Sequence, residues 1–118
     1  IAVSRDGMSW SAKQLPGKHV SMQVLAWSES LGMFLSNVGH YGDDDDDFYS
    51  SADGLQWSRY SVAGWDGSNS WIGCYGKMCY TNGEDSFFST SDGKSWSDSL
   101  PMPPLGKYTD WTKLVIAT

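Results

Sequence analysis

Ser51-Ala52-Asp53-Gly54-Leu55-Gln56-Trp57-Ser58 decides the fold, because the chain writes it three times. Ser4-Arg5-Asp6-Gly7-Met8-Ser9-Trp10-Ser11 precedes it and Thr90-Ser91-Asp92-Gly93-Lys94-Ser95-Trp96-Ser97 follows. The shared pattern is [ST]-x-D-G-x-x-W-S, with 47 residues from Asp6 to Asp53 and 39 from Asp53 to Asp92. Internal repetition at such spacing signals a repeat architecture, in which each unit buries its face against the next. Asp-Gly is a strong turn signal: Asp accepts from nearby backbone N–H groups, and Gly takes positive φ without strain. The preceding Ser4, Ser51 or Thr90 adds a second side-chain bond to the turn. Trp10, Trp57 and Trp96 are expected to lay their rings across the hairpin as local plugs.

Extended runs lead into each turn: Ile1-Ala2-Val3, Phe48-Tyr49-Ser50 and Phe87-Phe88-Ser89. A second hairpin lies upstream of the later two copies. Gln23-Val24-Leu25-Ala26-Trp27 turns back as Met33-Phe34-Leu35-Ser36, and Trp71-Ile72-Gly73-Cys74-Tyr75 turns at Gly76-Lys77 into Met78-Cys79-Tyr80-Thr81. Each repeat therefore reads as four short antiparallel strands, the unit of a β-propeller blade. The expected layout places the last two strands of one blade at 1–14 and whole blades at 20–61 and 70–99. The innermost strand of a further blade is expected at 111–118. No window carries apolar residues at helical spacing, so the fold class is all-β.

Composition agrees. The 118 residues hold 13 Gly, 19 Ser and 7 Trp, a mixture that breaks helices yet supplies core material. The formal net charge of −6 argues against a nucleic-acid backbone or an anionic membrane surface as partner. No apolar run approaches the ~20 residues that span a bilayer, so no membrane insertion is expected. The chain opens at Ile1 without an initiator Met or a signal-peptide pattern, and reads as a processed product or a piece of something longer.

The repeats resemble the Asp-box, or bacterial neuraminidase, repeats of sialidase-like β-propellers. The usual form is S-x-D-x-G-x-x-W, and this chain lacks the residue between Asp and Gly. That shorter form is closer to repeats of phage and bacterial surface propellers than to those of catalytic sialidases. The resemblance implies that Ser4, Asp6, Gly7, Trp10, Ser51, Asp53, Gly54, Trp57, Thr90, Asp92, Gly93 and Trp96 are structural, on the face away from the ligand. It also implies an extracellular or virion-surface location and no catalytic residue among the Asp-box aspartates. Two whole blades do not close a ring of ~4–8. The remaining blades are expected from a longer chain or from a homo-oligomer.

Propeller geometry then places the connections between second and third strands, and between blades, on one face. Tyr41, Trp65, Asp66, Asn69, Asn82 and Glu84 fall there as candidate ligand-binding residues, with Trp65 as the ring to stack on a sugar. Trp65 folded inward between blades is the competing reading. Asp43, Asp44, Asp45, Asp46 and Asp47 form a run that reads either as a Ca²⁺ site or as a solvated, self-repelling loop. No other cofactor is expected. Cys74 and Cys79 flank the Gly76-Lys77 turn at disulfide distance, and read equally as a bonded pair or as two buried thiols. His19 and His40 lack a Ser or Cys partner at recognisable spacing.

The sequence thus predicts a non-catalytic propeller module that binds glycan or protein on a cell or virion surface. A purely structural tail-fibre or capsid-decoration propeller is one alternative. A fragment of a sialidase-like glycosidase is the other, limited by the presence of Arg5 and Arg59 alone where such a site needs an arginine cluster.

Overall fold

The computed structural model describes residues 1–16, 22–38, 47–62, 71–82 and 86–101. Ten strands form three antiparallel sheets, with no helix among the described residues. The first sheet pairs β1 (Ala2–Ser4) with β2 (Trp10–Ala12). The middle sheet is a meander of β3 (Met22–Ser28), β4 (Met33–Val38), β5 (Asp47–Ser51) and β6 (Ser58–Ser61). The last sheet repeats that order with β7 (Ile72–Tyr75), β8 (Met78–Asn82), β9 (Ser86–Thr90) and β10 (Ser97–Pro101).

Alternation along each strand sorts the side chains into two faces. Val24 and Ala26 on β3, Met33 and Leu35 on β4, and Phe48 on β5 lie on one face of the middle sheet. They share a core with Ile72, Cys79, Phe88 and Trp96 of the last sheet. The two four-stranded sheets therefore pack face to face, with β3 beside β7. The Phe48 and Trp96 rings meet across this seam, with centroids 4.5 Å apart. On the opposite face of the middle sheet, Tyr49 packs with Leu15 and Trp57, and its hydroxyl donates to the Pro16 carbonyl at 2.7 Å.

The hairpin between β7 and β8 turns at Gly76, which has φ 58°, and Cys74 pairs with Cys79 across it. A disulfide joins the two, with Cα atoms 4.0 Å apart. Of the two sequence readings, the bonded pair is the one present.

Two positions differ from expectation. Asp47, read as part of the acidic loop, belongs to β5 and pairs with Val38 and Ser61, because the apolar alternation of Phe48 and Tyr49 carries the strand back to it. Trp10 is not a plug: it is 63% exposed, whereas Trp96 is 8% exposed. The turn sequence is the same in both copies. What differs is the neighbour, since Trp96 faces a complete sheet and Trp10 sits on a two-stranded one.

Candidate functional site

All three Asp-Gly turns share the same four side-chain bonds. In the first, Asp6 Oδ1 accepts from the Met8 and Ser9 amides, each at 2.8 Å, and from the Ser4 hydroxyl at 3.1 Å. The Gly7 amide donates to Ser4 Oγ at 2.8 Å. In the second, Asp53 Oδ1 takes the Leu55 and Gln56 amides and the Ser51 hydroxyl, while the Gly54 amide donates to Ser51 Oγ. In the third, Asp92 Oδ1 takes Lys94, Ser95 and the Thr90 hydroxyl, while Gly93 donates to Thr90 Oγ1. Gly7, Gly54 and Gly93 have φ of 74°, 77° and 74°, a region in which an L side chain is strained.

Donated N–H bonds favour the ionised carboxylate. The Ser9 and Met8 amides, with the Ser4 hydroxyl, lower the Asp6 carboxyl to about 2. Gln56 and Leu55 lower Asp53, and Ser95 and Lys94 lower Asp92, with partial desolvation opposing both shifts. Each carboxylate is thus held in one charge state by its own turn. A group that spends its acceptor capacity on three local donors, and that stays ionised, is poorly suited to moving protons. The turns are structural devices.

The indoles that close these turns end differently. Trp57 Nε1 donates to the Gly54 carbonyl at 2.8 Å, tying ring to turn. Trp96 Nε1 is buried with no hydrogen-bond partner among the described residues, and its ring packs on Phe48.

The connections between second and third strands, and between blades, are expected to carry the candidate ligand residues. Tyr41, Trp65, Asp66, Asn69 and Glu84 lie outside the described residues, as do Asp43, Asp44, Asp45 and Asp46. Among the described residues no group of three or more His, Cys, Asp or Glu side chains comes together to hold a metal ion. Asn82 is described, and it is not a loop residue. It ends β8, opposite Phe87, and is 5% exposed, on the face of the last sheet that points away from the seam with the middle sheet.

Asn37 occupies the matching place on β4, opposite Phe48. Just before each Asn stands a hydroxyl residue that bonds back to the first strand: Ser36 Oγ donates to the Val24 carbonyl and Thr81 Oγ1 to the Trp71 carbonyl. The carboxamides themselves are left over. Asn37 is fully buried, and among the described residues neither its Oδ1 nor its Nδ2 has a partner, nor does Asn82 Oδ1. Such a group costs ~1–3 kcal/mol each, so its recurrence at the same register is a feature in its own right. Asn37 was not among the sequence candidates. The signal was present, as Ser36-Asn37 and Thr81-Asn82, but these stand at different distances from their Asp-Gly turns and so escape a fixed-spacing search.

No family model matches the chain, and neither a curated protein nor a solved structure matches it.

Proposed function

We propose that this chain is a segment of an Asp-box β-propeller serving as a non-catalytic module that binds glycan or protein on a cell or virion surface. The observation that carries the reading is the turn geometry, the same set of side-chain bonds in three copies, closing the third and fourth strands of stacked antiparallel sheets. Two four-stranded meanders packed face to face support a propeller, since that is how blades stack. The remaining blades come from a longer polypeptide or from further copies of this one.

Several features favour binding over catalysis. The three motif carboxylates are committed to their turns, and the chain holds only Arg5 and Arg59. Chemically versatile residues fall instead in the stretches of sequence that connect strands, where Tyr41, Trp65, Asp66, Asn69 and Glu84 supply aromatic, carboxylate and amide side chains. Asn37 and Asn82 bring unused hydrogen-bonding capacity toward those connections. The acidic run at 43–47 is a candidate for Ca²⁺ held at that face. The Cys74–Cys79 disulfide fits an oxidising, extracellular setting, and the net charge of −6 disfavours nucleic acid.

Glycan-array binding by the wild type and by Trp65→Ala, with melting curves for both, tests the reading. Binding lost at unchanged melting temperature supports a sugar stacked on Trp65. Binding that survives both Trp65→Ala and replacement of residues 43–47 by Asn and Ser overturns the assignment of the face.

A further inference from the structure

The register makes the two large sheets comparable residue by residue. Ser51 and Thr90 open the same turn, so their partners Phe34 and Cys79 hold the same position. By the same count Leu25 corresponds to Ile72, and Trp27 to Cys74. In the last sheet this face is covered: Ile72 and Cys79 are buried in a cluster with Val24, Ala26, Met33 and Leu35. The covering element is the β3–β4 hairpin. In the middle sheet the corresponding Leu25 and Trp27 are 54% and 46% exposed. The Trp27 ring meets that of Phe34, with centroids 4.7 Å apart, and its indole N–H donates to Glu29.

The first sheet explains the difference. Its β1 and β2 flank an Asp-Gly turn, as β5 and β6 do, and Val3 packs against Gly54 and Phe34. It has no counterpart of β3 and β4. One edge of β1 is accordingly open among the described residues. Ile1 and Lys13 exchange both backbone bonds at 2.9 Å, so the antiparallel alternation directs the N–H and C=O of Ala2 and Ser4 away from β2. Between that edge and the bare face lies a cleft of about 200 Å³, lined by Ile1, Val3, Trp10, Leu25, Phe34 and Trp57.

We propose that this place is the docking site of a two-stranded β-hairpin of the same repeat, carried in the polypeptide upstream of β1. Its second strand pairs with the open edge of β1, and its apolar face covers Leu25, Trp27 and Phe34 as β3–β4 covers Ile72 and Cys79. The existing seam between the two large sheets continues by one repeat. Upstream polypeptide is the source because in both complete sheets the strand beside the turn-opening strand precedes it directly, β4 before β5 and β8 before β9. A second copy is disfavoured twice. Its own hairpins are already paired within their sheets, and each copy carries a net charge of −6. The inference rests on the stacked-sheet architecture proposed above and not on any ligand.

An extended chain tests it: residues 22–38 followed by 83–85 are placed ahead of the full 118-residue sequence, beside a control whose added strands have their apolar alternation scrambled. Amide exchange at Ala2 and Ser4 should slow at least about tenfold in the extended chain and not in the control. Trp27→Glu, which also loses the Phe34 and Glu29 contacts, should lower the melting temperature of the extended chain by more than that of the unextended one. Exchange unaltered by the extension, or slowed equally by the scrambled control, overturns the proposal. Concentration-dependent self-association of the unextended chain that Trp27→Glu abolishes would give the site to a second copy and overturn the upstream hairpin. Fast exchange at Ile72 and Cys79 in both chains would instead refute the stacking itself, which glycan binding does not test.

Discussion

Alanine at the turn glycine should separate the three copies of the motif, although all three glycines share nearly the same φ. The left-handed conformation strains any L residue by ~1–2 kcal/mol, and that contribution is common to Gly7→Ala, Gly54→Ala and Gly93→Ala. Space is not common to them. A methyl group at Gly7 points into the open, and one at Gly54 meets Val3 and Phe34 at 3.5–3.7 Å, which is ordinary contact. At Gly93 it runs into the Met33 sulfur and comes within 3.0 Å of Leu35 Cδ2. Leu35 is buried in the seam and has little room to yield. Overpacking of this kind adds ~1–3 kcal/mol, so Gly93→Ala should lose ~2–5 kcal/mol where the other two lose ~1–2.

Urea denaturation followed by circular dichroism measures the difference, and in a thermal scan each kcal/mol lost should lower the midpoint by roughly 4 °C. Met33→Ala in the Gly93→Ala background is the internal check, since removing the obstructing sulfur should recover part of the loss, a coupling of ~0.5–3 kcal/mol. Equal losses at all three glycines would refute the reasoning, because strain alone would then account for the motif. Gly93 would not lie against β4, and the face-to-face packing of the two large sheets would fall with it.

Three further outcomes are expected. Trp96→Ala should destabilise by ~3–5 kcal/mol and Trp10→Ala by under ~0.5, measured in urea, because one ring is core and the other is in water. The lowered carboxyls of Asp6, Asp53 and Asp92 stabilise the fold above the unfolded value of 3.8, and that stabilisation should drain away as pH falls toward about 2, where Asp6 protonates. NMR titration of the side-chain carboxyls checks it, with Asp6→Asn flattening the first turn's share. Asn37→Leu should be neutral or stabilising by ~1 kcal/mol in thermal melts, since it removes two buried groups that have no partner. A loss of several kcal/mol would show that the carboxamide has a partner in solution.

Much of the middle and last sheets was legible in the sequence because the information is local. Asp53-Gly54 and Asp92-Gly93 specify their turns with their own side chains, and the alternation of Val24, Ala26, Met33 and Leu35 specifies which face goes inward. What could not be read was context. Trp10 and Trp96 sit in the same eight-residue pattern, and only the presence of a neighbouring sheet decides that one is wet and the other buried. Asp47 looked like the fifth member of an acidic run, but ladder bonds to Val38 and Ser61 outweigh that resemblance. Asn82 looked like a polar loop residue beside Gly83 and Glu84, yet the strand reaches it before ending. In each case pairing or packing with another strand, rather than the residue's own chemistry, decides its place.

The two ends of each large sheet are physically unlike, and the difference bears on where function can reside. At the turn end, every copy satisfies its exposed amides internally: three donors fall on one carboxylate oxygen, a fourth on the hydroxyl before it, and the charge is fixed. Such an end is rigid and chemically spent, and substitutions there should register as stability. At the connection end, the repeat closes its first two strands with a hydroxyl bond from Ser36 or Thr81 and then leaves atoms of the next carboxamide without a partner among the described residues, both polar atoms of Asn37 and Oδ1 of Asn82. Natural chains rarely retain such a penalty twice at one register unless something answers those groups. A binding module needs this division, a scaffold end whose geometry tolerates no choice and an opposite end that still has hydrogen bonds to give. The asymmetry fits the binding module proposed above, with the Asp-Gly turns holding the scaffold end still and open hydrogen-bonding atoms left at the other.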